Sequence, residues 1–226
     1  MDAPSPAVSL PSRGMLVAVV GPSGAGKDTL IDAVRRHFEG SDLIRIVRRV
    51  ITRPAEAGGE DHLPVTEEEF ARLRDSGAFA CHWQAHGLFY GIPAAARASV
   101  DEGALVIANG SRSALPHFAA AFPRLKVLNI TARPEVLAER LAARGRESRD
   151  EILRRLDRSS LEVTGDFDVE TIDNSGSLEE AEKAIIGFFQ GLDIDAGIEE
   201  ADRGDFASDE RMAEIKARYR VPGAAD

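Results

Sequence analysis

Residues 21–29 form a glycine-rich segment, Gly21-Pro22-Ser23-Gly24-Ala25-Gly26-Lys27-Asp28-Thr29, around which the rest of the chain can be organised. The apolar run Met15–Val20 before it is typical of a buried parallel strand. An amphipathic helix pattern follows it, with apolar positions at Leu30, Ile31, Val34 and Phe38. A strand, a glycine loop and a helix in this order form a P-loop, whose backbone N–H groups surround phosphate oxygens while Lys27 reaches the β- and γ-phosphates. The sequence therefore predicts a site for a nucleoside triphosphate; the alternative is a strand-to-helix turn that binds no ligand.

Asp28 occupies the position where the P-loop pattern has a Ser or Thr hydroxyl that ligates Mg²⁺, and Thr29 comes one residue later. Two explanations stay open at this point. Either Asp28 holds the water shell of the metal, or Thr29 caps the helix and the phosphates hold the metal. In both cases the expected ligands are ATP and Mg²⁺.

The length of 226 residues fits one large domain or one domain with additions. The composition is that of a soluble protein, since 43% of the residues are hydrophobic and 29% are charged. No apolar run approaches the ~20 residues that span a bilayer, and Cys81, as the single cysteine, allows no internal disulfide. The net charge of −10 is unfavourable for non-specific binding to nucleic acid or anionic lipid. We therefore expect a cytoplasmic protein that binds neither nucleic acid nor membrane.

Strand patterns alternate with helical patterns along the chain, which predicts an α/β fold, a P-loop kinase core with a parallel sheet flanked by helices. After the first strand, further strands are expected at about 43–52, 104–108, 126–131 and 167–172, and a hairpin at 79–91. Capping boxes predict three helix starts, at Thr66, Ser148 and Ser177.

The pattern divides the chain into three parts. Residues 1–14 are rich in Pro, Ser and Ala and are expected to be a disordered lead-in, and residues 15–190 are expected to be the kinase domain. Residues 191–226 are expected to be an acidic extension, because they carry ten acidic and five basic residues. Within the domain, residues 53–92 are an aromatic insert where P-loop kinases dock the second substrate, and residues 140–155 are expected to form a helical lid.

Arginine residues are the candidates for neutralising the charge of a transferred phosphoryl group, because the planar guanidinium holds phosphate oxygens bidentately. The candidates are Arg53, Arg112, Arg140, Arg144, Arg146 and Arg155. Arg140 and Arg144 are four residues apart and would share a helix face. The alternative for each arginine is a solvated basic face that pairs with neighbouring glutamates.

The insert contributes polar residues that could contact a second substrate. Tyr90 can bond a phosphate through its hydroxyl while its ring packs. Glu60 and Asp61 would bind sugar hydroxyls or a Mg²⁺ carried by the substrate; the alternative is a solvated loop. The histidines of the insert fit no zinc-ligand spacing, and His86 is either a substrate contact or a packed or surface residue.

These motifs resemble the guanylate kinase family, through residues 21–29, Thr52-Arg53-Pro54, Phe89-Tyr90-Gly91 and Arg144-Gly145-Arg146-Glu147. In that family a glutamate before the Tyr-Gly motif and an aspartate at the end of the next strand bind guanine. Cys81 and Asn109 stand at those two positions here, and the second arginine of the family's substrate loop falls near Glu56. The resemblance implies the family's fold and chemistry without its guanine pocket.

A closer resemblance is to the ribose 1,5-bisphosphate phosphokinases of bacterial phosphonate breakdown, whose P-loop also contains Gly-Lys-Asp. It is carried by residues 52–62, 83–91, 109–112 and 144–147, and it extends over about residues 16–189. It implies transfer of the ATP γ-phosphate to the 1-phosphate of ribose 1,5-bisphosphate, which gives 5-phosphoribosyl 1-diphosphate.

The resemblance also implies roles for the candidate residues. Charge on the transferred group would be offset by Lys27, Arg140, Arg144 and Arg155. Asn174 would border the adenine of an ATP molecule held by residues 21–29. A substrate phosphate would be held by Arg53 and Tyr90, and the rest of the sugar phosphate would be lined by His86, Asn109 and Arg112, with Glu60 and Asp61 as further contacts.

Two alternatives to this function stay open. One is a nucleoside monophosphate kinase with altered base specificity, which Cys81 and Asn109 make less favourable for guanylate. The other is a non-enzymatic interaction module, and modules of that kind typically lack the P-loop, which is intact here. The expected partner is a small sugar phosphate, and the chain is expected to be a monomer or a homodimer.

Overall fold

The computed structural model describes residues 14–41, 43–54, 60–143 and 162–202, the last ten of these as backbone. Within these ranges the strands are β1 Met15–Val20, β2 Ile44–Ile46, β3 Val50–Ile51, β4 Leu63–Pro64, β5 Phe79–Ala85, β6 Leu88–Pro93, β7 Leu105–Asn109, β8 Leu125–Thr131 and β9 Val169–Asp173. The α-helices of the same ranges are α1 Lys27–His37, α2 Glu67–Asp75, α3 Ala94–Asp101, α4 Leu115–Ala121, α5 Pro134–Ala142 and α6 Leu178–Asp202.

A parallel sheet of five strands, counted over the described residues, has the order β2-β7-β1-β8-β9. β1 lies at its centre and pairs in parallel with β7 on one side and β8 on the other, and residues 16–20 are fully buried. A strand that is covered on both faces requires apolar side chains throughout, which explains why this run is continuous instead of alternating. The predicted α/β class is confirmed.

The insert contains a second, mostly antiparallel sheet in the order β4-β3-β6-β5. β5 and β6 form the hairpin predicted for residues 79–91, and His86 and Gly87 have positive φ angles of 51° and 75° in its turn. β3 pairs with β6 on one side and with β4 on the other.

The predicted strand over residues 43–52 is wrong as a single element. It divides into β2, which pairs with β7 in the parallel sheet, and β3, which belongs to the second sheet. The last parallel bond runs from Val47 N–H to Ile107 O at 2.8 Å, whereas Arg49 O accepts from Leu63 N–H of the second sheet, also at 2.8 Å. The two arginines between the strands pair with carboxylates of the insert, so the chain changes sheet where its basic side chains find partners.

Two of the three predicted helix starts fall in the described ranges, and both are confirmed. Thr66 Oγ1 accepts from Glu69 N–H at 3.1 Å before α2. Before α6, Ser177 N–H donates to Glu180 Oε2 at 3.2 Å while Glu180 N–H donates to Ser177 Oγ at 3.3 Å, which is a reciprocal capping box. The third start, at Ser148, lies outside the described residues.

A hydrophobic cluster joins the two sheets. Trp83 and Ile92 of the second sheet are buried together with Leu16 and Val106 of the parallel sheet and Phe118 of α4. The Trp83 ring meets the Phe118 ring edge-on, with 5.3 Å between centroids. Because apolar burial connects the insert to the core, polar residues of both sheets can form one site.

The helix α6 extends well past the apolar positions that predicted it and contains 25 residues. The chain divides into two compact units within this helix, after Ile185. Beyond that point, the Phe188 and Phe189 rings meet edge-on at 5.1 Å. The domain boundary at residue 190 stays a prediction. Among the described helices, none is both long and apolar enough to cross a membrane.

The central sheet should dominate stability. Leu128 of β8 is fully buried, whereas Leu178 at the start of α6 is 46% exposed. We expect Leu128→Ala to lower the free energy of unfolding by about 2–5 kcal/mol, because it leaves a cavity in the core. Leu178→Ala is the matched control and should change it by less than about 0.5 kcal/mol. Urea denaturation measures both, and equal losses would contradict this account of the core.

Candidate active site

The loop of residues 21–26 leads from β1 directly into the first turn of α1. Gly26 is the last residue before the helix, with a φ angle of 89°, and no side chain caps the helix at this end. Of the two explanations offered for Asp28, the one in which Thr29 caps α1 is therefore wrong: the helix begins at Lys27, so Thr29 already lies inside its first turn. The N–H groups of this turn have no partner within the helix and suit an anion.

The loop backbone lies close to Ile130 of β8 and to Asn174, which follows β9. A Cβ atom at Gly21 would lie 2.1 Å from Ile130 O, and one at Gly26 would lie 2.4 Å from Asn174 Nδ2. Asn174 is 2% exposed and donates from Nδ2 to Ala25 O at 2.8 Å. This amide therefore supports the loop from behind, and its predicted contact with adenine stays a prediction.

Lys27 points back into the loop that precedes it. Its Nζ donates to Gly21 O at 3.0 Å and to Pro22 O at 3.1 Å. Burial lowers the pKa of Lys27; Asp28 and Glu60 oppose this effect, and the positive charges of Arg49 and Arg112 add to it. Two carboxylates and two guanidinium groups are thus close enough to act on this ammonium group.

Asp28 and Glu60 are connected through one amide group. Asn109 Nδ2 donates to Asp28 Oδ1 at 2.7 Å and to Glu60 Oε2 at 2.6 Å. Both N–H bonds of the amide are used in this way, and Asn109 Oδ1 is buried without a hydrogen-bond partner. Asn109 therefore links α1 to the insert. Its side-chain oxygen, Oδ1, is left as an unpaired acceptor.

Arg49 is a further site residue that the sequence analysis missed. Its Nε donates to Glu60 Oε1 at 2.9 Å, and its Nη2 forms a shorter ion pair with the same oxygen. The guanidinium carbon lies 5.1 Å from the centre of the Tyr90 ring and 5.8 Å from that of Trp83, and these two rings stack with 5.4 Å between centroids. The apolar-basic alternation of residues 43–52 suggested only an exposed strand face. The sequence feature that could have indicated Arg49 is its position directly before Val50 and Ile51, which are both buried.

The side chain of His62 contacts both Arg53 and Glu60, the two residues between which the connection from β3 to β4 runs. His62 is 6% exposed, and its Nε2 and Nδ1 lie 3.0 Å from Arg53 O and Glu60 O respectively. Arg53 Nη2 lies 3.3 Å from His62 Nδ1, while Arg53 Nε is buried without a partner. The predicted contact of Arg53 with a phosphate stays a prediction, and the unpaired Nε leaves one donor for it.

Four predicted residues meet at a small cavity of about 30 Å³, which is enough for about one or two water molecules. Its polar lining includes Asp28, Glu60, Asp61 and Asn109. Asp61 also pairs with the exposed Arg48 at 2.8 Å. The structure thus brings Asp28 of α1, Asn109 of β7 and the two carboxylates of the insert to one cavity.

The other predicted residues are less closely tied to this cluster. Burial lowers the pKa of Arg112, which lies just after β7. His86 is exposed in the hairpin turn, and Arg140 of α5 has a buried Nη1 without a hydrogen-bond partner. Arg144 and Arg155 lie outside the described residues, so their roles stay predictions.

Residues 13–190 match the family model described as guanylate kinase. Two similar curated relatives carry the name ribose 1,5-bisphosphate phosphokinase. The one from Agrobacterium fabrum is 61% identical over 175 residues, 77% of this chain and 96% of the relative. The one from Rhizobium etli is 58% identical over 180 residues, 80% of this chain and 91% of the relative.

A solved structure of guanylate kinase from Anaplasma phagocytophilum aligns with a TM-score of 0.57 at 24% identity. The alignment covers 81% of this chain and 88% of that one. At this level of identity the match supports the fold alone.

Cys81 should be a poorly reactive thiol. Burial raises its pKa to about 12, so the neutral thiol is favoured in the folded chain and stability is lost as the pH rises above about 9 toward that value. At pH 8 we expect labelling by a disulfide reagent to be about a thousandfold slower in the native protein than in urea, because only the thiolate reacts. Similar labelling rates in the two states would contradict the partial burial of Cys81.

Asn174→Ala should weaken the P-loop, because it leaves Ala25 O without its donor. We expect a loss of about 1–3 kcal/mol in the free energy of unfolding and weaker binding of a fluorescent ATP analogue. Ser175→Ala is a suitable control, since the Ser175 hydroxyl bonds Asp173 and Arg133 and not the loop. If both variants lose the same affinity, Asn174 has no special role in supporting the loop.

Proposed function

Since this chain belongs to the guanylate kinase family, we propose that it transfers the terminal phosphoryl group of ATP to the 1-phosphate of ribose 1,5-bisphosphate, giving 5-phosphoribosyl 1-diphosphate and ADP. The observation that carries the proposal is the 61% identity to a relative of that name over 96% of its length. The chain is a phosphotransferase; the acceptor and the products are the proposed part. In this proposal the reaction takes place in the cytoplasm and uses ATP and a small sugar phosphate.

The residues near the acceptor support a sugar phosphate over guanylate. Cys81 and Asn109 replace the two carboxylates that would bind guanine according to the family resemblance. Neither side chain offers the two charged acceptor oxygens of a carboxylate, because Cys81 is a neutral thiol with a raised pKa of about 12 and Asn109 has a single amide oxygen, Oδ1. A site that lacks the hydrogen-bond partners of a base discriminates strongly against it.

The chemistry requires alignment and charge neutralisation more than proton transfer. An oxygen of the acceptor 1-phosphate is already anionic near neutral pH, so it attacks the γ-phosphorus without a strong general base, and the bond to the β-γ bridging oxygen breaks as ADP leaves. Lys27 would exchange its bonds to Gly21 O and Pro22 O for phosphate oxygens. The backbone of residues 21–26 and the start of α1 would hold the phosphates. The other cations proposed for the transferred group are Arg140, Arg144 and Arg155.

The residues beside Lys27 suit a magnesium ion. Asp28 offers an exposed carboxylate and Thr29 an exposed hydroxyl, and hard oxygen ligands are those that Mg²⁺ prefers. When bound, Mg²⁺ offsets charge on the β- and γ-phosphates. Asn109 holds the Asp28 carboxylate at 2.7 Å, so this side chain is oriented by a bond to the acceptor side of the site.

The acceptor side of the proposal involves the insert and the end of β7. Arg53 and Tyr90 would hold one phosphate, with Arg53 Nε as an unpaired donor. The remaining contacts with the sugar and its second phosphate would come from Glu60, Asp61, His86, Asn109 and Arg112.

Phosphorus NMR tests the proposal directly. Wild-type protein with ATP, Mg²⁺ and ribose 1,5-bisphosphate should produce the two coupled signals of a new diphosphate, and a parallel sample with GMP should not. Lys27→Ala should lower kcat/KM about 100- to 1000-fold, because one donor to the transferred charge is removed. Lys183→Ala is the control, since Lys183 is an exposed residue of α6.

The second candidate is a nucleoside monophosphate kinase of altered base specificity, which the names of the similar relatives do not favour. Turnover of GMP, AMP, UMP or CMP without turnover of the sugar bisphosphate would establish this candidate and overturn the proposal.

A further inference from the structure

The reaction proposed above assigns no task to Arg49, although this guanidinium lies inside the site. We infer that Arg49 is a phosphate ligand of the acceptor and that Glu60 is the positioning residue that orients it. The inference rests on the proposed function, and it would make Arg49 a determinant of specificity for an acceptor with two phosphates.

The orientation of Arg49 is fixed on three sides. Its side chain is 11% exposed and that of Glu60 is 10% exposed. Nε and Nη2 both point to Glu60 Oε1, and the guanidinium lies over the Tyr90 and Trp83 rings. An arginine held in this way loses little conformational freedom when it binds an anion.

Contacts of Arg49 leave part of its donor capacity for a ligand. A guanidinium has five N–H bonds, and the hydrogen bonds of Arg49 within the described residues use only Nε and Nη2. Nη1 takes part in none of them. Nη1 and the outer N–H of Nη2 can therefore both donate to a phosphate while Arg49 keeps its hydrogen bonds to Glu60.

The location of Arg49 follows from a continuous chain of hydrogen bonds. Glu60 Oε2 accepts from Asn109 at 2.6 Å, and Asn109 also donates to Asp28 at 2.7 Å. Asp28 directly follows Lys27, whose pKa the charges of Arg49 and Glu60 both influence. The Arg49 guanidinium is thus connected to the P-loop helix through Glu60 and Asn109, and it lies over the Trp83 and Tyr90 rings of the insert.

Charge supports a ligand role over a purely structural one. A buried ion pair is costly to desolvate, and packed apolar residues can often replace it without loss of stability. Two phosphate groups with second pKa values near 6 bring a charge of about −3 to −4 at neutral pH. An additional oriented arginine is what such an acceptor requires, whereas a single phosphate attached to a neutral base needs less positive charge.

Ligand truncation combined with mutation tests the inference. The ligands are ribose 1,5-bisphosphate, ribose 5-phosphate and ribose 1-phosphate, and Trp83, the single tryptophan, lies below Arg49 as a fluorescent reporter. Arg49→Gln alone leaves Glu60 buried and unpaired, so the main variant is Arg49→Gln with Glu60→Gln, which removes both charges together. Arg45→Gln is the matched control, because Arg45 is exposed and pairs with Glu102 on the surface.

We expect the double variant to bind ribose 1,5-bisphosphate about 10- to 100-fold more weakly, with ATP affinity unchanged. One of the two monophosphates should lose the same factor and the other should stay within about twofold, which identifies the phosphate that Arg49 contacts. Equal losses for all three ligands would indicate a structural role and overturn the inference, as would no loss. If the wild-type chain neither binds nor phosphorylates ribose 1,5-bisphosphate, the proposed function itself fails.

Discussion

The parallel pairing of β1 with β7 and β8 is the constraint on which the site depends. Parallel neighbours end at the same edge of a sheet, so the P-loop after β1, Asn109 at the end of β7 and Asn174 after β9 all meet there. None of these segments is close to the others in sequence. The apolar burial that keeps β1 at the centre is therefore also what brings the polar groups of the site together.

Asn109 shows how little contact is needed to connect two halves of a site. Its single amide donates to Asp28 on the P-loop helix and to Glu60 on the insert. Through Glu60 the same connection reaches Arg49 and the stacked Trp83 and Tyr90 rings. The bonds of Glu60 to Asn109 and Arg49 are partly buried, where hydrogen bonds to charged groups are stronger, whereas the bond of Asn109 to Asp28 is exposed. The unusual aspartate of the P-loop thus acquires a partner that lies 81 residues away in sequence.

The elements that were predicted correctly are those determined by residues close to one another in sequence. The P-loop, the α/β alternation, the hairpin at 79–91 and the helix starts at Thr66 and Ser177 depend on neighbouring residues, and the structure contains them. The division of residues 43–52 between two sheets was missed because pairing with β7 or β6 is decided by distant strands. Arg49 was missed for the same reason, because its partner Glu60 lies eleven residues further along the chain, in the insert. Of the two explanations left open for Asp28, the one with a Thr29 cap was wrong because Gly26, with a positive φ angle, directly precedes the helix.

The ring of His62 contacts the backbone at both ends of the connection between Arg53 and Glu60. Backbone oxygens of Arg53 and Glu60 both lie 3.0 Å from this one side chain, so the connection between them starts and finishes at points that the ring sets. Substitutions elsewhere in the site that keep His62 and these two carbonyl groups should therefore leave both anchoring contacts in place.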